Sequence, residues 1–176
     1  MLSLLLLFVV QACQKDEIED PDSEHNFAVE TGDSDIPYLL IETRGLGILN
    51  EPKVPAELSI YVRKARIQSA QIGIEYRGST SFRISDKKSY GIETWDQDGN
   101  DVDVAFFDFP EEEDFILLGH IVNLEDSYVF DQTLIYNLFA YNLFSKMDRY
   151  ASRTKIVELE INGDYQGVYI FLEKIK

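Results

Sequence analysis

Residues 77–88 crowd together Arg77, Gly78, Ser79, Ser81, Arg83, Lys87 and Lys88. These are the groups that hold phosphate. Glycine lets backbone N–H groups approach closely, serine hydroxyls donate, and guanidinium or ammonium supplies charge. Neither GxxxxGK(S/T) nor GxGxxG is present, and loops of this composition are usually solvated hairpins, so composition alone allows a phosphate cradle without favouring it. In a strand Lys87 and Lys88 point to opposite faces. Lys88 shares its face with Tyr90 and Ile92, the apolar face, and a lysine there needs an anionic partner, so Lys88 is the candidate ligand contact.

Other segments offer less. Asp96 to Asp101 places oxygen ligands around a glycine, but it lacks EF-hand spacing and has Phe107 where the closing Glu belongs. It reads as an acidic turn, and no metal site is assigned. Asp131 precedes an apolar periodic run and is read as a helix N-cap and possible charge partner of the lysine. Glu173 is the other candidate partner. His25 lies in the acidic segment, and His120, alone after a buried run, reads as structural.

The elements that position these groups follow from periodicity. Tyr38 to Thr43, Glu57 to Arg63, Ile72 to Tyr76, Tyr90 to Thr94 and Phe115 to Leu118 read as strands. Gln132 to Met147 reads as the principal helix, with Leu134, Leu138 and Tyr141 in an apolar stripe widened by Ile135, Phe139 and Phe144, facing the core. Lys155 to Ile161 and Gln166 to Ile175 alternate around Asn162-Gly163, a strong hairpin signal, with Val157, Leu159 and Ile161 expected opposite Val168, Ile170 and Leu172. The fold class is α+β: a mostly antiparallel sheet with one principal helix.

The 176 residues carry 11 Phe, 10 Tyr and a net charge of −16, which supports an aromatic core and argues against nucleic-acid binding. Residues 14 to 35 hold nine acidic side chains against one lysine, a composition expected of a disordered acidic tether, 13–35. Residues 1–12 are almost wholly apolar and too short to span a bilayer, as expected of a signal peptide, and Cys13 follows directly. Cys13 resembles the lipidated cysteine of a bacterial lipoprotein. Gln14-Lys15-Asp16-Glu17 resembles a surface-export signal. Both imply an extracytoplasmic, outer-membrane, surface-exposed lipoprotein anchored through Cys13.

Arg77-Gly78-Ser79-Thr80-Ser81 and Lys87-Lys88-Ser89-Tyr90-Gly91-Ile92-Glu93 resemble the spore-coat-protein-H-like (CotH kinase) family. So do Pro110 to Leu117, Tyr150-Ala151-Ser152-Arg153-Thr154, Asn162 to Tyr169 and Glu173-Lys174-Ile175, in the family's order. The resemblance implies that 36–176 is the N-terminal lobe of an atypical, secreted protein kinase, truncated before the catalytic lobe, with the catalytic residues beyond Lys176. It implies ATP with Mg or another divalent metal, and transfer to Ser/Thr of a protein substrate whose identity is unknown. Arg77, Gly78, Ser79 and Ser81 would then form the loop over the phosphates. Lys88 would touch them, and Glu173 and Lys174 would lie at the adenine edge. The sequence departs from the family at Gln132 and Tyr136, where the family carries Lys and Arg. That departure keeps open an alternative: a non-catalytic, surface-displayed binding or scaffold module.

Overall fold

The computed structural model describes residues 34–175. The expected signal peptide, Cys13 and nearly all of the acidic tether lie outside these residues. Asp35, the last residue of the expected tether, is described: its Oδ1 accepts from Arg63 Nε at 2.6 Å.

Among the described residues, nine strands and two helices follow in the order β1 (Tyr38–Glu42), β2 (Val54–Val62), β3 (Ala65–Arg77), α1 (Thr80–Ile84), β4 (Ser89–Trp95), β5 (Asp114–Leu118), β6 (Val122–Asn123), β7 (Tyr128–Val129), α2 (Tyr136–Lys146), β8 (Thr154–Ile161) and β9 (Asp164–Glu173). The α+β expectation holds: the sheet is mostly antiparallel and helices are few. It closes on itself as a seven-stranded barrel in the order β1-β2-β3-β4-β5-β9-β8. The closing pair, β1 with β8, is parallel, and the other barrel pairs are antiparallel.

Closure is driven by period-2 alternation. Leu39, Ile41, Leu58, Ile60, Ile72, Ile74, Ile92, Phe115, Leu117, Val157 and Leu159 all point inward and are almost wholly buried. Phe106 plugs the interior, with its ring edge-on to Phe115 and Phe171 at 5.0 and 5.6 Å. Burying each such side chain contributes about 1.5–3 kcal/mol. A second, smaller cluster lies outside the barrel: Ile116, Ile170 and Leu172 are covered by Leu118 and by Leu138 and Tyr141 of α2.

Several expectations change. Val157 lies opposite Tyr169 and Leu159 opposite Gly167, with a bulge between Leu159 and Glu160. Tyr169 and Phe171 therefore join Val157 and Leu159 inside, while Ile170 and Leu172 face outward. Strand β9 is apolar on both faces, so alternation alone could not choose its inner set. The principal helix starts at Tyr136, four residues later than the sequence suggests, because Leu134 adopts φ 60° and ends the preceding turn. Of its apolar stripe only Leu138 and Tyr141 pack on the sheet, whereas Ile135, Phe139 and Phe144 are 44, 64 and 49% exposed. The loop after β3 contains the short helix α1, which sequence patterning does not reveal.

Candidate functional site

Closure turns the Tyr90/Ile92 face of β4 inward. The other face, carrying Ser89, Gly91 and Glu93, is therefore the one a ligand can meet. The ladder sets its residues in rows: Arg77 opposite Ser89, Glu75 opposite Gly91, and Gly73 opposite Glu93. The Gly91 row continues across β5 to Ile116 and across β9 to Leu172.

Three clefts meet at Arg77. One of about 250 Å³ has a floor of Ile116, Leu118 and Leu172, a wall from Tyr141 of α2, and a polar rim of Arg77, Gly78, Ser81 and Ser89. A second, of about 540 Å³ on the far side of the loop, is lined by Arg77, Gly78, Ser79 and Arg83 among others. A narrow third, about 80 Å³, runs past Arg77, Gly91, Asp114 and Lys174. Arg77 is exposed, and among the described residues its guanidinium has no carboxylate within ion-pair distance. Gly78 has φ +96°, and a Cβ there would stand 2.3 Å from Ser81 Oγ, so the turn requires glycine. An apolar floor with a few convergent polar groups and an unpaired guanidinium is suited to an anion that carries a flat apolar portion.

The structure thus brings together Arg77, Gly78, Ser79 and Ser81, with Lys174 two rows away, beside Asp114 of the Glu93 row. Lys88 is placed differently from the geometry the sequence suggests. Strand β4 begins one residue after it, and its inner face is sealed. Lys88 Nζ donates to the carbonyls of Phe82 and Ser85 at 2.8 and 2.7 Å and sits 5.0 Å from the Phe82 ring centroid. Its partners are thus carbonyl dipoles at the end of α1, and neither Asp131 nor Glu173 pairs with it. Lys87 crosses the barrel mouth instead. Its Nζ donates to Gln166 O at 2.9 Å and lies 4.3 Å over the Tyr169 ring, and burial pushes its pKa down to about 8. Tyr169 Oη in turn donates to Lys88 O at 2.9 Å. The rings of Tyr169, Tyr90, Tyr76 and Phe82 follow one another at 5.2–6.1 Å and close the mouth beneath both lysines.

The acidic candidates are engaged in the scaffold. Glu173 Oε2 accepts from Arg153 N at 2.7 Å and Oε1 from its guanidinium at 3.0 Å. Lys174 Nζ meets Asp114 Oδ2 at 3.0 Å along the narrow cleft. Asp131 serves the helix from five residues back. Its carboxylate accepts from Tyr136 N at 2.7 Å and from Thr133 N and Oγ1 at 3.0 and 2.7 Å. Burial pushes its pKa up, but these hydrogen bonds outweigh it and hold the carboxyl below its usual value. His120 is buried with Nε2 unpartnered, and burial, then the Lys87 charge, lowers its pKa despite Asp131.

Sequence reasoning missed Ser89, Tyr141 and the Ile116–Leu118–Leu172 floor. Ser89 and Gly91 alternate with Tyr90 and Ile92 and mark a face of small residues, which was the available signal. Among the described residues no group of three or more His, Cys, Asp or Glu side chains forms a metal-ligating cluster. Residues 74–176 match the family described as CotH kinase protein. No curated protein matches the chain.

Proposed function

The chain belongs to the CotH kinase family, and we propose that its barrel binds ATP in the Tyr141-walled cleft. In this reading the base lies over Ile116 and Leu172, and the phosphates lie against Arg77, Gly78, Ser81 and Ser89. The observation that carries it is the unpaired, exposed Arg77 guanidinium at the junction of three clefts, beside a hydroxyl-lined turn that only glycine allows. These residues fit a polyphosphate, since they combine one fork-shaped cation with hydroxyl donors and a backbone open to close approach. Lys174 borders the base side, and Ser79 and Arg83 face the phosphates from the far side of the loop. Lys88 acts as a positioning residue that holds the end of α1 under that loop, and Glu173 holds Arg153.

A divalent cation bound with ATP supplies charge neutralisation on the phosphates. Among the described residues no cluster of three or more His, Cys, Asp or Glu side chains is present to hold it. In the complete reaction the γ-phosphoryl passes to Ser or Thr of a protein, and the barrel's part is to orient the nucleotide. The N-lobe role, export and lipid attachment at Cys13 belong to the same proposal; the apolar 1–10 run and the acidic residues after Cys13 support the last two. Calorimetry of the chain with Mg-ATP tests nucleotide binding, with saturable binding expected. Absence of heat and of any thermal shift at millimolar nucleotide refutes it.

A second reading is a binding module without transfer. It rests on Phe139 and Phe144 of α2 and Met147 at its C-cap, an apolar outer side at 64, 49 and 62% exposure. Mg-ATP binding followed by phosphate incorporation into a protein would refute it.

A further inference from the structure

On the opposite flank of the same sheet, Trp95 lies against Gly73. A Cβ on Gly73 would fall 2.1 Å from the indole Cζ2, so the ring is seated where only glycine permits it. Gly73 is buried, and its strand partner is Glu93. Trp95 Nε1 donates to Glu93 Oε2 at 2.9 Å, which fixes the indole plane. Beside it opens a groove of about 760 Å³ lined by Glu51, Pro52, Lys53, Glu75, Glu93 and Trp95. Lys53 Nζ stands between the two inner carboxylates, 3.4 Å from Glu93 Oε1 and 3.8 Å from Glu75 Oε1.

We propose that this groove binds an uncharged saccharide, with one pyranose ring stacked on Trp95 and its hydroxyls held by Glu75, Glu93 and Lys53. The indole supplies a rigid, flat apolar surface for the ring's C–H face. A pyranose also carries hydroxyls around its edge, each both donor and acceptor. The groove answers with both kinds of partner: carboxylate oxygens that accept and an ammonium that donates, in charge-assisted hydrogen bonds. The lining holds three carboxylates against one ammonium, which disfavours phosphorylated or acidic ligands. A cationic side chain is disfavoured as well, because Lys53 already occupies the position between the carboxylates. Trp95 and Glu93 line none of the three clefts at Arg77, whereas Glu75 and Lys53 border them, so Trp95 and Glu93 are the residues that separate this groove from nucleotide binding.

Trp95 is the only tryptophan of the chain, so intrinsic emission reports on the groove. The test titrates the full chain with neutral mono- and disaccharides of glucose, galactose, mannose, xylose and N-acetylglucosamine. A saturable emission change with at least one of them is expected. Calorimetry with that sugar should then show binding weakened roughly tenfold or more in Glu93→Gln and lost in Trp95→Ala, by removal of a charged hydrogen-bond partner and of the platform. Mg-ATP calorimetry on the same variants should match the parent chain, which keeps the two readings apart. The proposal is overturned by no saturable change across the panel, by sugar affinity unaltered in both variants, or by an emission change with an oligo-arginine peptide but with no sugar. Where Trp95→Ala fails to fold, Glu93→Gln alone decides.

Discussion

Replacing Arg77 by Ala isolates the nucleotide reading. Arg77 ends β3, is exposed and has no carboxylate partner among the described residues, so folding loses little. Surface changes of this kind stay within about 0.5 kcal/mol, or roughly 2 °C in melting temperature for a chain of this size. Binding loses much more. A hydrogen bond from a guanidinium to phosphate contributes about 1.5–3 kcal/mol, which converts to a roughly 10- to 150-fold weaker Kd for Mg-ATP. Arg77→Lys keeps the charge but not the planar fork, and is expected to fall between the two. Lys88→Ala provides the contrast. It removes the two carbonyl hydrogen bonds that tie down the end of α1, so affinity and melting temperature should fall together. Isothermal calorimetry and a thermal melt on all four proteins suffice. An Arg77→Ala protein with parental melting and parental Mg-ATP affinity refutes the placement of phosphate at Arg77.

Three further outcomes follow from the geometry. Gly73→Ala forces the indole off its seat, so stability should fall by about 1–3 kcal/mol and Trp95 emission should shift to the red, checked by urea titration. Burial lowers the Lys87 pKa from its usual 10.5 to about 8. Between these values the unfolded chain keeps a proton that the folded chain has released, so stability rises as pH climbs from about 8 toward 10.5. Tyr90, pushed up to about 12 chiefly by burial, acts oppositely above its usual 10.0. Urea midpoints between pH 8 and 10 should therefore rise, and Lys87→Met should flatten that rise; an identical slope in the variant excludes Lys87 as its source. Phe139→Ser, at a 64% exposed site, should leave the melting temperature unchanged and reduce binding of an apolar dye. A large loss of stability would mean that Phe139 packs inward.

The strands were legible because half-buried strands write their pattern with period 2. Ile72/Ile74 and Tyr90/Ile92 were each identifiable from sequence, as was the Asn162-Gly163 turn, whose residues adopt φ 52° and 83°, whereas Phe115 to Leu118 was legible only as a continuous apolar strand. The loop chemistry of Arg77, Gly78, Ser79 and Ser81 was also legible, because it depends on residue type over five positions. Alternation says which residues share a face, but not whether that face ends inside or outside. The parallel pairing of β1 with β8 decides this: it joins segments about 120 residues apart and closes the sheet. Closure sends Tyr90 and Ile92 inward, leaves Ser89, Gly91 and Arg77 outside, and denies Lys88 the ligand face that its spacing suggested. The same limit applies to β9, where both faces are apolar and only the β8 register, shifted by a bulge, assigns Phe171 to the core and Leu172 to the cleft. Residue type and local period fixed the elements and the chemistry they carry. Long-range pairing, which no local pattern encodes, decided which of that chemistry faces a ligand.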